Sequence, residues 1–388
     1  RVHTIDFMST SQSTQHDYYI GLMSGTSMDG VDGVVVDLTG GTCKVIAHHS
    51  LSFSLDLKVE MLVLNSAGEN ELHRASCAAN QLVFLYAQVV AGLLYTAELE
   101  SADVKAIGAH GQTVRHCPSG SLGDGGGYTI QLNNPSLLAE RTGIAVVADL
   151  RSRDVAAGGQ GAPLVPAFHK AVFGRSGENI AVLNIGGIAN VSLLHADGRV
   201  EGFDTGPGNV LMDAWVSSYK ETPYDAHGDW AASGTISKPL LNMALRNAYF
   251  EKSIPKSTGR DLFNWAWLQE CLAVDASFAS LDPADVQATL VELTAQSIAL
   301  AMQGYGVGFE SIYVCGGGAL NDHLMQRLRA VMPEIGIETT DALGIPVMQV
   351  EAAAFAWLAK QCVNRVPLEL QKITGARGSR VLGAIYPA

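Results

Sequence analysis

The two halves of the chain repeat one plan, in which a glycine-containing turn joins the first two strands of a short meander. The plan begins at residues 19–25 (YIGLMSG) in the first half and at residues 182–187 (VLNIGG) in the second. Helices then alternate with short apolar strands, which is typical of an α/β fold. The repeat predicts two similar lobes, and a ligand is expected in the cleft between them.

Hydrophobic periodicity and turn residues place the elements. Strands are predicted at residues 18–22, 33–38, 43–53, 104–109, 128–132, 144–148, 180–185, 191–195, 199–203 and 311–315. Helices are predicted at about 70–94, at 283–304, after Asn321 and at about 350–362. Asp282 and Pro283 mark the start of the second helix, because Asp caps a helix and Pro fits its first turn. Leu72 and Leu300 are expected on the buried faces of the first and second helices.

Composition narrows the class of protein. Of the 388 residues, 47 % are hydrophobic and 16 % are charged, which excludes intrinsic disorder. A formal net charge of −13 makes a nucleic acid or an anionic membrane a poor partner. The longest apolar stretch, residues 82–95, is shorter than the roughly 20 residues of a bilayer span. Residues 1–17 are polar and are expected to form an unstructured leader, and six scattered cysteines indicate reduced thiols in a cytoplasmic protein.

The 41 glycines exceed the average share of about 7 %, and several of them cluster in turns. In the first cluster, residues 21–32 (GLMSGTSMDGVD), consecutive backbone N–H groups can bind an anion. Asp29 and Asp32 suit Mg²⁺ beside a phosphate, whereas the alternative interpretation is a plain β-hairpin turn. Walker A loops and dinucleotide fingerprints both precede a helix, so a cluster between two strands disfavours a nicotinamide-dependent oxidoreductase.

Two further glycine clusters also follow predicted strands. Residues 184–190 (NIGGIAN) occupy the position equivalent to the first cluster, and the two together predict a two-sided phosphate clamp. Alone, this second cluster would be interpreted as a structural turn. Residues 315–321 (CGGGALN) would let a purine lie against bare backbone, or would form a close-packed corner between a strand and a helix.

Two carboxylates are candidates for catalysis. Asp204, within residues 202–209 (GFDTGPGN), ends a predicted strand and could act as a general base. Its alternative role is to cap the next helix, although Asn209 and Asp213 are also suitable caps. Glu351 opens an apolar helix, where the helix dipole alone would favour a glutamate.

Two polar loops that follow predicted strands are expected to contact a ligand. Their candidate residues are His110, Gln112 and Thr113 in the first loop, and Arg151, Arg153 and Gln160 in the second. A lone histidine is usually structural, and the arginines could be ordinary surface charges, so both interpretations stay open.

Seven ordered segments together resemble the anhydro-N-acetylmuramic acid kinases, a bacterial family with the actin-like ATPase fold. The segments are 21–32 (GLMSGTSMDGVD), 109–113 (AHGQT), 139–166 (AERTGIAVVADLRSRDVAAGGQGAPLVP), 184–190 (NIGGIAN), 203–209 (FDTGPGN), 256–264 (KSTGRDLFN) and 315–321 (CGGGALN). The resemblance extends from Tyr19 to Lys360. The chain departs from the family at Ala109, where Ser is usual, and at Asn133 and Asn134, where Gly-Asp or Gly-Asn is usual.

The resemblance implies an α/β, two-lobed actin-like (ribonuclease H-like) ATPase fold with the active site in the interlobe cleft. Lobe I would comprise residues 18–165 plus 352–388, and lobe II residues 166–351. It also implies an enzyme that uses ATP and Mg²⁺ to hydrolyse the 1,6-anhydro bond of 1,6-anhydro-N-acetylmuramic acid and phosphorylate the 6-oxygen. The products would be N-acetylmuramic acid 6-phosphate and ADP, in cytoplasmic peptidoglycan recycling. A second copy of the chain, in a homodimer, is a candidate partner.

The resemblance further implies roles for particular residues. Asp204 and Glu351 would be catalytic, with Asp204 accepting a proton from the attacking water and Glu351 assisting. The nucleotide would be bound by Gly25, Thr26, Ser27, Met28, Asp29, Gly30, Val31, Asp32, Asn184, Gly186, Gly187, Gly316, Gly317, Gly318 and Asn321. Asp29 would also hold Mg²⁺. The sugar would be bound by His110, Gln112, Thr113, Arg153, Gln160 and Asn209.

One alternative function shares this fold. An actin-like ATPase module could act on a protein partner instead of a sugar, with the same phosphate-binding turns. Release of ADP that requires the anhydro sugar separates the two hypotheses.

Overall fold

The structure is a computed structural model that describes residues 16–25, 28–118, 126–254, 256–259 and 262–388. Its strands are β1 (Tyr18–Met23), β2 (Gly30–Asp37), β3 (Lys44–Ser52), β4 (Val104–Ala109), β5 (Gln112–Cys117), β6 (Tyr128–Leu132), β7 (Val146–Ala148), β8 (Ile180–Ile185), β9 (Ile188–Leu194), β10 (Val200–Pro207), β11 (Ser311–Cys315), β12 (Gly336–Thr339) and β13 (Ala384–Tyr386). Its helices are α1 (Leu55–Val63), α2 (Glu71–Ala97), α3 (Pro135–Thr142), α4 (Ser152–Ala156), α5 (Val165–Phe173), α6 (Val210–Lys220), α7 (Asp229–Ser233), α8 (Lys238–Ala244), α9 (Trp265–Ala273), α10 (Pro283–Tyr305), α11 (Asp322–Val331), α12 (Val350–Val363) and α13 (Gln371–Thr374).

Two large sheets repeat one topology. The first has the strand order β3-β2-β1-β4-β7-β13, and the second has the order β10-β9-β8-β11-β12. In each sheet the opening three strands are antiparallel, and the next two lie parallel to the first of them. This duplicated order is that of the ribonuclease H-like unit of actin-like ATPases, so the predicted fold class is confirmed.

Helix α12 packs against the first sheet, mainly on β1 and β4. Its buried alanines let the helix backbone approach closely, and Gly21 in β1 completes the contact, because a Cβ there would collide with the carbonyl oxygen of Ala352. The core around α12 includes Tyr19 from the first sheet and Val182 from the second. The start of α12 is therefore fixed at the junction of the two sheets.

The longest helix of the second half, α10, is buried along most of its length. Asp282 caps it as predicted, since its carboxylate accepts a hydrogen bond from the Ala284 N–H at 2.8 Å. The helix ends at Tyr305, one residue beyond the predicted end, and Leu300 is 43 % exposed instead of buried. Leu72 was also wrongly placed on a buried face: it is 87 % exposed, because the first turn of α2 contributes no residue to the core.

Several elements were not predicted, α1 and β5 among them. Helix α1 follows β3 and is capped by Ser54, whose hydroxyl accepts from the Leu57 N–H. Strand β5 pairs with β6 in a separate two-stranded sheet. The prediction that residues 128–132 form a buried strand is therefore wrong in its burial, since Tyr128 and Ile130 point outward.

Helix α2 is long and apolar enough by length and composition to cross a membrane. Its buried face, however, packs against β2, β3 and α3, as a core helix does. Of the predicted leader, residues 1–15 lie outside the described residues, whereas Asp17 forms an ion pair with Lys360 of α12 at 2.7 Å. The lobe boundaries at residues 165 and 351 stay a prediction.

We expect Gly21→Ala to destabilise the protein by more than about 2 kcal/mol, because the added methyl group must displace the backbone of α12. Gly304→Ala is the matched control: Gly304 lies in α10 with open space around it, and alanine favours a helix by about 1 kcal/mol. Chemical denaturation measures both effects. Equal stability of the two variants would contradict the close packing of α12 on β1.

Candidate active site

A cleft of about 430 Å³ is lined by turns from both large sheets and by the start of α12. The predicted nucleotide-binding residues that line it are Gly25, Asp29, Asp32, Asn184, Gly186, Gly187, Gly316, Gly317 and Asn321. The three glycine clusters therefore meet in one place, although they are separated by more than a hundred residues in the sequence. Met28, Gly30, Val31 and Gly318 do not line this cleft, and Thr26 and Ser27 lie outside the described residues.

The turn between β8 and β9 is tied to the end of β10. The backbone N–H groups of Gly208 and Asn209 donate to the carbonyl oxygens of Gly187 and Gly186, at 2.9 and 2.8 Å. The Asn209 side chain also donates to the Ile185 carbonyl, at 3.2 Å, and Asn209 lines the cleft. The second glycine cluster and the strand that carries Asp204 thus form one rigid unit.

Gly316 brings the third glycine cluster against the second. Its φ of +81° is a conformation that favours glycine, and a Cβ there would collide with the side-chain oxygen of Asn184. The same Asn184 amide donates toward Glu351 Oε1 at 3.4 Å. The close approach of Gly316 therefore fixes the side-chain amide of Asn184, which contacts Glu351.

Glu351 lies in the first turn of α12, facing the cleft. Burial raises the pKa of its carboxyl, and the negative charge of Asp32 raises this pKa further. The positive charge of Arg151 and the Asn184 hydrogen bond act in the opposite direction. Asp32 and Glu351 both line the cleft, and the like charges of their carboxylates favour a cation near them.

Behind the cleft, the buried side chain of His110 connects two loops. Its Nε2 accepts from the Arg151 guanidinium at 2.9 and 3.1 Å, and its Nδ1 donates to the Ser24 carbonyl at 3.2 Å. Burial and the charge of Arg151 lower the pKa of His110 to about 3. His110 is therefore neutral at physiological pH and joins Arg151 to the residue that precedes Gly25.

Asp204 lies within β10, at an irregularity in its pairing with β9, and not at the strand end that the sequence indicated. Burial raises the pKa of its carboxyl to about 6, although the Thr258 N–H donates to Oδ2 at 2.9 Å. The Tyr249 hydroxyl donates to the backbone carbonyl of Asp204 at 2.7 Å. A carboxylate with this pKa is suited to accept a proton near neutral pH.

The predicted sugar-binding residues are placed apart from one another. His110 lines a second cavity of about 210 Å³, together with Asn133 and Asp149. Gln112, Thr113, Arg153 and Gln160 line neither cavity, whereas Asn209 lines the first. Gln112 is nonetheless wholly buried, and its Oε1 has no hydrogen-bond partner among the described residues.

Tyr224 and Asp225, which no sequence pattern indicated as site residues, also line the cleft. Tyr224 is 62 % exposed, so its ring is free to cover a flat ligand. Asp225 is held in place because its carboxylate accepts from the N–H groups of Trp230 and Ala231. An aromatic residue within a short polar connection carries no periodic signal, and only the fold brings it to the cleft.

The duplicated fold, with glycine turns around one cleft, belongs to the actin-like fold class. A family model described as anhydro-N-acetylmuramic acid kinase matches residues 17–388. Proteins named anhydro-N-acetylmuramic acid kinase from Albidiferax ferrireducens and Variovorax paradoxus are 54 % and 55 % identical to the chain. Each alignment covers 96 % of this chain, and 100 % and 99 % of the respective relatives. The chain belongs to the anhydro-N-acetylmuramic acid kinase family.

Solved structures with low sequence identity are also similar. One is an activator of 2-hydroxyisocaproyl-CoA dehydratase from Clostridium difficile, with 13 % identity, a TM-score of 0.44, and coverage of 91 % of this chain and 99 % of that one. Another is a ROK family glucokinase from Streptomyces griseus, with 14 % identity, a TM-score of 0.42, and coverage of 89 % and 99 %.

The raised pKa of Asp204 has a consequence for stability. The folded-state value of about 6 lies above the usual 3.8, so the protonated form favours folding and this contribution is lost as the pH rises through about 6. We expect Asp204→Asn, which removes the buried charge, to stabilise the protein at pH 8 by up to about 3 kcal/mol. The gain should be smaller at pH 4.5.

Thermal denaturation at the two pH values measures this effect. Asp197→Asn is the matched control, because Asp197 is an exposed carboxylate whose pKa is lowered by hydrogen bonds from Arg199. Asp197→Asn should not stabilise the protein at pH 8. A change in Tm for Asp204→Asn that is the same at both pH values would contradict a raised pKa.

Proposed function

We propose that the chain is an ATP-dependent kinase acting on 1,6-anhydro-N-acetylmuramic acid. It hydrolyses the 1,6-anhydro bond and phosphorylates the 6-oxygen, and it releases N-acetylmuramic acid 6-phosphate and ADP for peptidoglycan recycling. Family membership supports the reaction. The observation that carries the mechanism is the buried carboxyl of Asp204, with its pKa near 6, on the strand tied to a phosphate-binding turn.

The nucleotide phosphates are proposed to bind between the first and second glycine clusters. Gly25 lies on one wall of the cleft, and Gly186 and Gly187 lie on another. Backbone N–H groups are the natural anion donors here, because the chain carries a net charge of −13. The adenosine is proposed to lie on Gly316 and Gly317, with Tyr224 covering the base.

Mg²⁺ is proposed to bind beside the phosphates. The predicted ligand, Asp29, is 77 % exposed and forms an ion pair with Lys58 at 3.0 Å. Asp32 is better placed, since its charge acts directly on Glu351. Among the described residues no group of three or more His, Cys, Asp or Glu side chains could hold a metal, which fits a site that substrate phosphates complete. A bound Mg²⁺ would spread the charge of the transferred phosphoryl group.

Asp204 is proposed to be the general base. It removes a proton from water as the water oxygen forms a bond to the anomeric carbon, and the bond from this carbon to the 6-oxygen breaks. The 6-oxygen forms a bond to the γ-phosphorus while the bond from this phosphorus to ADP breaks. Because phosphorus captures the leaving oxygen, no second carboxyl is needed as a strong acid, in contrast to ordinary glycosidases.

Glu351 is proposed to assist without being the base. Burial raises the pKa of its carboxyl, the charge of Arg151 and the Asn184 hydrogen bond lower this pKa, and the charge of Asp32 raises it. Its place in the cleft, beside the glycine clusters, suits the orientation of Mg²⁺ and the γ-phosphate. Among the predicted sugar-binding residues, His110 and Asn209 lie on cavity walls and are the strongest candidates.

A cytoplasmic location is also proposed, because the reaction consumes ATP. A second copy of the chain stays a candidate partner. The alternative function, an ATPase that acts on a protein partner, gains no support from the family or from the cleft.

We expect ADP release from Mg-ATP to require 1,6-anhydro-N-acetylmuramic acid. A coupled assay with and without the sugar measures this dependence. ADP release at the same rate without sugar would contradict the proposed function and would favour the protein-directed ATPase.

In the same assay, Asp204→Asn should lower turnover by at least about a thousandfold, since the general base is lost. Nucleotide affinity, measured by calorimetry, should stay within about twofold of wild type, because Asp204 does not line the nucleotide cleft. Asp197→Asn serves again as the control and should retain wild-type turnover. A large loss of nucleotide affinity in Asp204→Asn would contradict the role assigned to this residue.

A further inference from the structure

Hydrogen bonds of Arg151 connect a neighbouring loop to His110. Arg151 donates with Nη1 to the carbonyl of Gly161 at 2.8 Å, and with its other nitrogens to His110. The guanidinium is therefore held between a loop and the histidine that binds the Ser24 carbonyl. Ser24 itself is 1 % exposed and directly precedes Gly25.

The loop that carries Gly161 is fastened by Asp154. This carboxylate is 1 % exposed, and its Oδ2 accepts from the Gly161 N–H at 2.7 Å. Its Oδ1 accepts from the Thr374 hydroxyl at 2.7 Å. A buried carboxylate without such partners would be costly, so both hydrogen bonds contribute to holding the loop.

Backbone contacts extend this attachment. The Gln160 N–H donates to the Thr374 carbonyl at 2.8 Å, and the Arg377 N–H donates to the Ala157 carbonyl at 2.8 Å. We call these two contacts and the hydrogen bond between Thr374 and Asp154 the C-terminal clasp. Thr374 ends α13, and 220 residues separate it from Asp154 along the chain.

We infer that Thr374 is a positioning residue for the kinase reaction. Through the C-terminal clasp it holds Gly161, which holds Arg151, and Arg151 places His110 and the Ser24 carbonyl at the start of the first glycine cluster. The inference rests on the proposed function, since it concerns the rate of phosphoryl transfer. It assigns to the C-terminal segment a role in the active site, although Thr374 lines neither cavity.

The position of Arg151 matters for charge as well as for geometry. Burial lowers the pKa of its guanidinium to about 10, and the carboxylates of Glu351 and Asp154 act in the opposite direction. Glu351 belongs to the cleft, whereas Asp154 belongs to the C-terminal clasp. A change in the position of Arg151 therefore alters its attraction to both carboxylates. Loss of the C-terminal clasp therefore affects Glu351 as well as Ser24.

We expect Thr374→Val to lower kcat by about three- to tenfold, because the hydrogen bond from the Thr374 hydroxyl to Asp154 is lost. The KM for ATP should change by less than about twofold, because preorganised donors act mainly on the charge that develops in the transition state. Rates are normalised to the number of nucleotide-binding sites, so that unfolded protein does not count. Thr374→Ser, which keeps the hydroxyl, should retain kcat to within about twofold.

Ser379→Ala is the matched control. Its hydroxyl lies 3.4 Å from Gln371 Nε2, on the same segment but outside the C-terminal clasp. This variant should keep wild-type kcat and KM. If Thr374→Val does not fold, Asp154→Asn replaces it, because the amide has the shape of the carboxylate but cannot accept at both positions.

A double-mutant cycle with Arg151→Lys tests the path of the effect. Lysine keeps the charge but cannot contact Gly161 and His110 with a planar fork. Adding Thr374→Val to Arg151→Lys should therefore lower kcat by less than about twofold. Losses of kcat that multiply in the double variant, or a wild-type kcat in Thr374→Val, would overturn the inference. Lack of sugar-dependent activity in the wild-type protein would instead overturn the proposed function, so the two failures are distinguishable.

Discussion

The packing of α12 on β1 and β4 is the contact on which both the fold and the site depend. Small side chains on the helix and Gly21 on the strand allow the backbones to approach, and the core around the helix joins the two sheets. Because Glu351 occupies the first turn of that helix, the packing also carries a carboxylate into the cleft. One contact at the junction of the sheets thus fixes both the packing of α12 and the position of the Glu351 carboxylate.

Burial then sets the charge of the groups around the cleft. It raises the pKa of the carboxyls of Asp204 and Glu351 and lowers that of His110. The result is an Asp204 carboxyl with a pKa of about 6, a Glu351 carboxyl whose pKa is raised despite the charge of Arg151, and a histidine that stays neutral. The chain has a net charge of −13, and backbone N–H groups together with Mg²⁺ are therefore proposed to bind the phosphates.

Sequence patterns predicted much of this arrangement. Strands β1 and β8 with their glycine turns were recognised because a turn between strands is a local signal, and the repeated plan of strands and turns related the two halves. The excess of glycine was assigned to turns, yet Gly21 lies inside a strand, where it accommodates a helix that is distant in sequence. Arg153 and Gln160 were expected at the sugar but line neither cavity, while Arg151 makes the buried contacts.

These differences share a physical cause. Whether a charged side chain is buried, and whether a position has room only for glycine, depends on residues from elements that are distant in the sequence. Local hydrophobic periodicity carries no information about those residues. The same holds for Tyr224, which reaches the cleft from a short polar connection, and for Thr374, which acts through a chain of hydrogen bonds. The chemical type of each site residue could be predicted from the sequence, whereas the residues that it contacts became known only from the fold.

The central claim is that Asp204 activates water at the anomeric carbon while phosphorus captures the leaving oxygen. Turnover in water enriched in heavy oxygen tests it most directly, with mass spectrometry of the products. The account predicts one heavy oxygen on the anomeric hydroxyl of the sugar phosphate and none in the phosphoryl group. Heavy oxygen in the phosphoryl group, with an unlabelled anomeric hydroxyl, would contradict it.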